Sequence, residues 1–222
     1  MTNSTVDINQ SSPTKILVLG ATGPTGRLIV NQALARGYVV TALVRSPEKA
    51  TDIKGINLVA GDARDETALR QAVKGQDAVI SALGTRASPF KEVTLLSTAT
   101  RALIKAMKAE QVARLIAITG LGAGDSAGHG GFLFNNVIFP LLLRHVYADK
   151  NRQEVIINDS GLDWTIARPS ILNNKPGRDT IRTLTNLADF NGGTISRQDV
   201  AKFVLDQVQS EAWQHRSPLI SW

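Results

Sequence analysis
Three glycines at every third position, Gly20, Gly23 and Gly26 in G-A-T-G-P-T-G, have a spacing that can do chemistry. Gly20 permits a tight turn, Gly23 lets the backbone approach a pyrophosphate where a Cβ would collide with it, and Gly26 lets a helix lie close against a strand. Free amides at a helix start, at the positive end of its dipole, then favour an anion. The motif alone is common. Here a short apolar run, K-I-L-V-L, precedes it and a helical pattern follows. That context points to a dinucleotide-binding turn over a merely structural one.

Other residues extend the pattern. Arg45 ends a second apolar run, A-L-V-R-S. An NAD enzyme usually places Asp or Glu there to accept from the adenosine ribose hydroxyls, whereas an arginine can hold a 2′-phosphate through two N–H groups. NADPH is therefore expected over NADH, the plainer reading being an exposed surface arginine. Asp62, in A-G-D, reads either as a partner of the adenine amino group or as a turn-forming aspartate. In S-A-L-G-T-R, Ser81 to Arg86, Gly84 permits close backbone approach, and Arg86 is either an anion contact or a solvated loop charge. The stretch Ile118 to Gly131 is glycine-rich and reads as a mobile loop that lines or covers a substrate, or as a plain connection. Thr119, Ser126 and His129 supply hydroxyls and a titratable ring there, with no visible partner. Tyr147 and Lys150 share a broad helix face. A neighbouring ammonium lowers a phenol pKa and would make Tyr147 a proton donor or acceptor; alternatively Tyr147 packs and Lys150 is solvated.

The elements that must position these groups alternate. Strands are expected at Lys15–Leu19, Tyr38–Val44, Ile56–Ala60, Asp77–Leu83, Arg114–Thr119 and Trp164–Ala167, with a last one at Pro218–Trp222. Helices are expected at Pro24–Arg36, Glu66–Lys74, Glu92–Ala109, Tyr147–Asp159 and Asp199–Gln209, several stopping at a glycine such as Gly37, Gly75 or Gly161. Leu172–Ser196, rich in Gly, Pro and Asn, gives no clear element. Strand–helix alternation along the chain implies an α/β fold, a single doubly wound Rossmann-type parallel sheet with helices on both faces. The expected organisation is a flexible tail over residues 1–14 and one domain over 15–222.

Composition removes several classes of function. The chain has 222 residues, 43% hydrophobic and 20% charged, which are ordinary globular values. The absence of cysteine excludes disulfide scaffolds, thiolate metal sites and cysteine nucleophiles. The three histidines, His129, His145 and His215, are scattered, so no metal site is expected. A net charge of +6 comes from dispersed basic residues. It reads first as a solvated surface and next as attraction for a phosphate- or carboxylate-bearing ligand. Nucleic acid ranks last, for want of a recognition motif. The longest apolar block, Phe132 to Leu143, is broken by two Asn and a Pro and is shorter than the ~20 residues a spanning helix needs. No membrane partner and a cytoplasmic location are expected, as a monomer or weak homodimer.

G-A-T-G-P-T-G, L-V-R-S, G-D-A-R-D, Q-D-A-V-I-S-A-L-G-T-R, S-G-L-D-W-T-I-A-R-P and I-S-R-Q-D-V-A together resemble the atypical short-chain dehydrogenase/reductases with an NmrA-like NAD(P)H-binding fold. Within that group the likeness is greatest to the biliverdin-IXβ reductases, also called flavin reductases, and runs from about Lys15 to Trp222. The resemblance implies NADPH held by Gly20, Thr22, Gly23, Pro24, Thr25 and Gly26, by Arg45, by Asp62 with Ala63, and by Leu83, Gly84, Thr85 and Arg86. It implies that Arg168, Pro169, Ser170 and Ile171 run beside the nicotinamide. From the residues themselves, Thr119, Tyr147 and Lys150 are the candidate catalytic groups, and Thr119 is also a candidate cofactor contact. Family members pass hydride to planar conjugated acceptors, flavins or linear tetrapyrroles. Two departures stand out. The serine expected after Thr119 is Gly120, and the Tyr-x-x-x-Lys pair of typical members is broken because position 151 is Asn. Two other functions remain open. One is a non-catalytic NADP(H)-sensing module; a weaker one is a nucleotide-sugar epimerase or dehydratase.

Overall fold
The computed structural model describes residues 12–86 and 89–222. The expected tail lies outside the described residues up to position 11. The chain runs β1 (Lys15–Leu19), α1 (Pro24–Ala35), β2 (Val39–Val44), β3 (Asn57–Ala60), α2 (Glu66–Val73), β4 (Ala78–Ser81), α3 (Leu95–Ala109) and β5 (Arg114–Ile118). A π-helical segment (Phe134–Leu143) then leads directly into α4 (Arg144–Asn158). After it come β6 (Asp163–Pro169), β7 (Ile171–Asn173), β8 (Arg182–Leu184), β9 (Thr194–Ser196), α5 (Arg197–Asp206) and β10 (Leu219–Ser221).

Successive side chains of a strand point to opposite faces, and the central strands are apolar on both. Ile16 and Val18 of β1, with Ala78 and Ile80 of β4, join a core layer built on α1 and α5. Leu17 and Leu19, with Val79 of β4, face the opposite layer, built on α2, α3 and α4. Burial on both faces is why these strands read as continuous apolar runs and why their pairing is parallel. The main sheet has eight strands in the order β3-β2-β1-β4-β5-β6-β10-β8. All its pairings are parallel except β10 with β8. The expected doubly wound fold is present, with an antiparallel edge added by β8.

Two stretches differ from expectation. Leu172–Ser196 contributes β8 and β9 and part of β7; β7 and β9 form a small parallel pair of their own. Runs of three residues are too short to leave a periodic signal. The apolar block Phe132–Leu143 is helical over most of its length, so the helix expected at Tyr147 is extended toward the N-terminus. No helix among the described residues is long and apolar enough to cross a membrane.

The start of α1 is pressed against the sheet. Gly23 N–H donates to Gly20 O at 3.0 Å. A Cβ on Gly26 would stand 2.1 Å from Gly20 O, against backbone that cannot swing aside. Gly26→Ala should therefore destabilise the fold by about 1–3 kcal/mol or more, the range for overpacking. Denaturant melts check it; an unchanged midpoint would contradict the close approach.

Candidate functional site
A cleft of about 830 Å³ opens at the carboxyl ends of β1, β2, β3 and β4, where the strand order reverses between β1 and β4. Open α/β sheets bind ligands at such a switch point. Its walls include Gly20, Thr22, Gly23, Pro24, Thr25 and Gly26, then Arg45, Asp62 and Ala63, then Leu83, Gly84, Thr85 and Arg86. These stretches are far apart in the chain and meet here.

The helix starts around the cleft are not alike. Asp65 caps α2 by accepting from Thr67 N at 2.9 Å, and Ser196 caps α5 by accepting from Asp199 N at 3.0 Å. The start of α3 is capped from another helix, because buried Asp149 of α4 accepts from Leu96 N at 2.8 Å. Only α1 among these has no capping side chain, and its first turn carries no acidic residue. Its first amides have no capping side chain, which is the condition for an anion site. Gly23 fits the same reading. Its φ of −75° suits any residue, and a Cβ there would find only Gly20 O, at 3.3 Å. The protein's own backbone does not require glycine at this position, which opens on the cleft. Gly20 differs: φ is +81°, and a Cβ would lie 2.5 Å from Ala82 O.

Arg45 is exposed in the cleft wall. Asp62 lines the cleft too, but its carboxylate is engaged by Arg64, with Nε to Oδ1 at 2.8 Å and Nη2 to Oδ2 at 2.9 Å. The Arg64 fork, with a small contribution from Arg45, holds Asp62 down to about 2. Asp62 Oδ1 also accepts from Arg64 N at 2.9 Å, the contact of a turn-forming aspartate, while the residue stays in the cleft wall.

The residues expected beside the nicotinamide fall outside that cleft wall. Ser170 is buried, with Oγ bonded to Ser221 Oγ at 3.0 Å; Pro169 O accepts from Leu121 N; and Ile171 is exposed. The residue of this stretch that lines the cleft is Leu172. Arg168 turns away, its Nη2 on Glu154 Oε2 at 2.7 Å and its Nη1 on Asp125. Thr119 is also outside the cleft wall, and its hydroxyl donates to Glu154 Oε1 at 2.6 Å, so its proton is already committed. Nor is the glycine-rich loop free. Gly124 N bonds Asn151 Oδ1 at 2.9 Å, Gly122 N bonds buried Ser126 Oγ at 2.9 Å, and His129 O accepts from Gly192 N at 2.8 Å. Several of its glycines adopt positive φ, as at Gly122 and Gly128.

Tyr147 and Lys150 do meet. Lys150 Nζ stands 4.8 Å from the Tyr147 ring centre and donates to Thr119 O at 2.6 Å. The phenol, however, is buried against Phe134 and Phe139, with ring centres at 6.1 and 5.1 Å. Burial raises its pKa to about 12, the reverse of the expected lowering. Part of the Lys150 side chain reaches solvent, but its ammonium is enclosed; burial brings it down to about 8, opposed by the Glu154 charge. The two departures in the motif prove to be coupled. A Cβ on Gly120, whose φ is +154°, would stand 3.0 Å from Lys150 Nζ and 3.4 Å from Tyr147 OH. A lysine one residue early reaches the place where a side chain at 120 would project, and glycine leaves it room.

Sequence reasoning missed Glu154, Leu172 and Arg197, the last also lining the cleft. Glu154 lies four residues after Lys150 and seven after Tyr147, a spacing that puts all three on one helix face.

A family model described as NAD(P)H-binding matches residues 20–211. The chain belongs to this NAD(P)H-binding family. Among its relatives, an uncharacterized sugar epimerase of Bacillus subtilis, YhfK, is 30% identical over 91% of this chain and 92% of its own. Of the solved structures, ChuY, an anaerobilin reductase from Escherichia coli O157:H7, superposes with a TM-score of 0.80 at 24% identity, over 94% of this chain and 97% of its own. A short-chain dehydrogenase/reductase from Veillonella parvula in complex with NADP gives 0.78 at 20% identity, over 94% of each chain. The family's fold is thus the Rossmann type used by oxidoreductases.

Gly23→Val should abolish binding of NAD(P)H while leaving the melting curve within about 1 kcal/mol of wild type, because the added methyls enter the cleft rather than the core. Titration of nicotinamide fluorescence checks it, and normal binding by the variant would show that the cradle is misassigned.

Proposed function
We propose that the chain is an NADPH-dependent reductase that passes hydride to a planar conjugated acceptor, a flavin or a biliverdin-like linear tetrapyrrole. The observation that carries this reading is Arg45, exposed without an ion-pair partner among the described residues in the wall of a cleft into which an uncapped α1 points. The residues fit the dinucleotide: the turn Gly20–Gly26 for its pyrophosphate, Arg45 for a 2′-phosphate, and Leu83 to Arg86 along the opposite wall. The NADP complex of the Veillonella parvula protein and the anaerobilin reductase activity of ChuY support the same choice. When bound, NADPH supplies the hydride.

This chain's own residues then hold or move the proton. Tyr147, with its pKa near 12, keeps its phenolic proton throughout the physiological range and can donate a hydrogen bond but not readily ionise. Lys150, near 8, is mostly charged at pH 7 and neutral above about pH 9. Its ammonium is held by Thr119 O, and Glu154 and Thr119 are held by each other, with Arg168 closing the network. A reduced flavin can take its proton from water, so for that acceptor positioning dominates. A tetrapyrrole product needs a proton at one atom and depends more on Tyr147 and Lys150.

One observation favours a second reading. YhfK is named a sugar epimerase, and an epimerase would return its cofactor to the starting oxidation state after each turnover. Steady NADPH oxidation with FMN or biliverdin supports the reductase. Conversion of a nucleotide sugar without net NADPH loss would replace it, and tight NADPH binding with no turnover of any acceptor would leave the sensing module.

NADPH should bind about ten- to a hundredfold more tightly than NADH, from a charge-assisted contact of roughly 1.5–3 kcal/mol. Arg45→Ala should erase that preference; equal affinities in the wild type would refute it. Tyr147→Phe should slow flavin reduction by less than roughly a hundredfold, the low end of general acid catalysis, and tetrapyrrole reduction by more. The tetrapyrrole rate alone should fall as pH rises through about 8, where Lys150 loses its proton. Single-turnover rates with both acceptors across that range check this, and a collapse of flavin reduction in Tyr147→Phe with binding intact would make Tyr147 an obligatory acid.

A further inference from the structure
Several arginines on or beside the helices face a carboxylate, as Arg27 does Asp52 and Arg36 does Asp206. Three in the cleft wall do not. Arg45, Arg86 and Arg197 have no ion pair among the described residues. Arg45 follows β2, and Arg86 lies beyond β4. Arg197 comes from another part of the chain, the first turn of α5. It is half-buried, and its polar partner is neutral: Nη1 donates to Asn174 Oδ1 at 2.7 Å.

A nearby carboxylate exists but is committed elsewhere. Asp199 accepts from Arg178 N at 3.0 Å, Asp179 N at 3.3 Å, Ser196 Oγ at 3.0 Å and Trp222 Nε1 at 2.6 Å. Three of these donors share Oδ2 and one takes Oδ1, and the residue is buried. Arg197 thus has no carboxylate within ion-pair distance among the described residues, and an anion in the cleft would supply one.

The neighbouring helix says which anion. α5 lies beside α1, joined by Gln32 Nε2 to Gln198 O at 3.0 Å and by the Arg36–Asp206 pair at 2.8 Å. Arg197 and the uncapped start of α1 line one cleft from adjacent helices. We infer that Arg197 holds the pyrophosphate of the bound dinucleotide, as the second arm of a clamp whose first arm is the glycine turn. This rests on the dinucleotide reading above. Asp199 acts as a positioning residue by tying β9, the 178–179 backbone and Trp222 around the base of Arg197.

The test measures binding rather than turnover. Kd values for NADPH and for 2′-AMP, which carries the ribose phosphate but no pyrophosphate, are determined by calorimetry for wild type, Arg197→Ala, Arg197→Lys and Arg45→Ala. Arg197→Ala should weaken NADPH roughly tenfold or more and leave 2′-AMP within about twofold. Arg197→Lys, a point charge without the fork, should recover part of the loss. Arg45→Ala should weaken both ligands. An Arg197→Ala chain that binds NADPH as tightly as wild type overturns the inference, and so does an equal loss for 2′-AMP. Unchanged NADPH affinity with a raised KM for an anionic acceptor would likewise overturn it, assigning Arg197 to the acceptor. Failure of the wild-type chain to bind NADPH at all would instead overturn the dinucleotide reading on which the clamp depends, while binding of NADPH and NADH alike would remove only the role of Arg45.

Discussion
The contact between the first turn of α1 and the backbone of β1 and β4 is the constraint on which the rest of the molecule depends. Gly20 lies where a Cβ would strike Ala82 O, and Gly26 lies where one would strike Gly20 O. With both positions reduced to hydrogen, the helix start descends to the level of the strand ends. Its amides then face the crevice at the switch point instead of a solvent loop. The third glycine of the motif is of a different kind. Gly23 has no backbone strain to relieve, and a Cβ there would meet only Gly20 O, at 3.3 Å, on the side that opens to the cleft.

Behind the cleft, buried charge is arranged around Glu154. Its carboxylate accepts from Thr119 Oγ1 and from two nitrogens of Arg168, and its field opposes the desolvation of Lys150. Removing one member of such a network leaves a buried charge without its partner, which costs more than the pair is worth. The arrangement explains why Lys150 keeps a proton near neutral pH although its ammonium is enclosed. It also fixes α4 against β5 and β6. Asp149, on the same helix, caps α3, so the helix that carries Tyr147 and Lys150 is held on two sides.

The apolar segment before α4 completes this arrangement. Phe134 and Phe139 enclose Tyr147, and that enclosure, rather than the nearby ammonium, governs the phenol. A charge 4.8 Å from a ring centre and burial of a hydroxyl act in opposite directions on its pKa. Only the packed structure shows which is larger.

The amino-acid sequence by itself determined the doubly wound sheet, most of its strands and helices, and the turn Gly20–Gly26. These follow from local pattern: apolar runs of strand length, helical periodicity, and glycines at chain positions where backbone must turn or approach. Arg45, Ala63 and Leu83 to Arg86 could be placed at strand ends because parallel strands present their carboxyl ends on one edge. Tertiary structure alone decided the pairings between distant side chains. Arg64 occupies Asp62, Glu154 occupies Thr119 and Arg168, and Ser221 occupies Ser170. Arg197 reaches the cleft only because α5 folds back beside α1. The three-residue strands of Leu172–Ser196 are likewise set by their partners across the sheet, since a run that short carries too few side chains for a period to appear. Spacing along a chain specifies local geometry, whereas the protonation and partners of a buried group depend on everything packed around it.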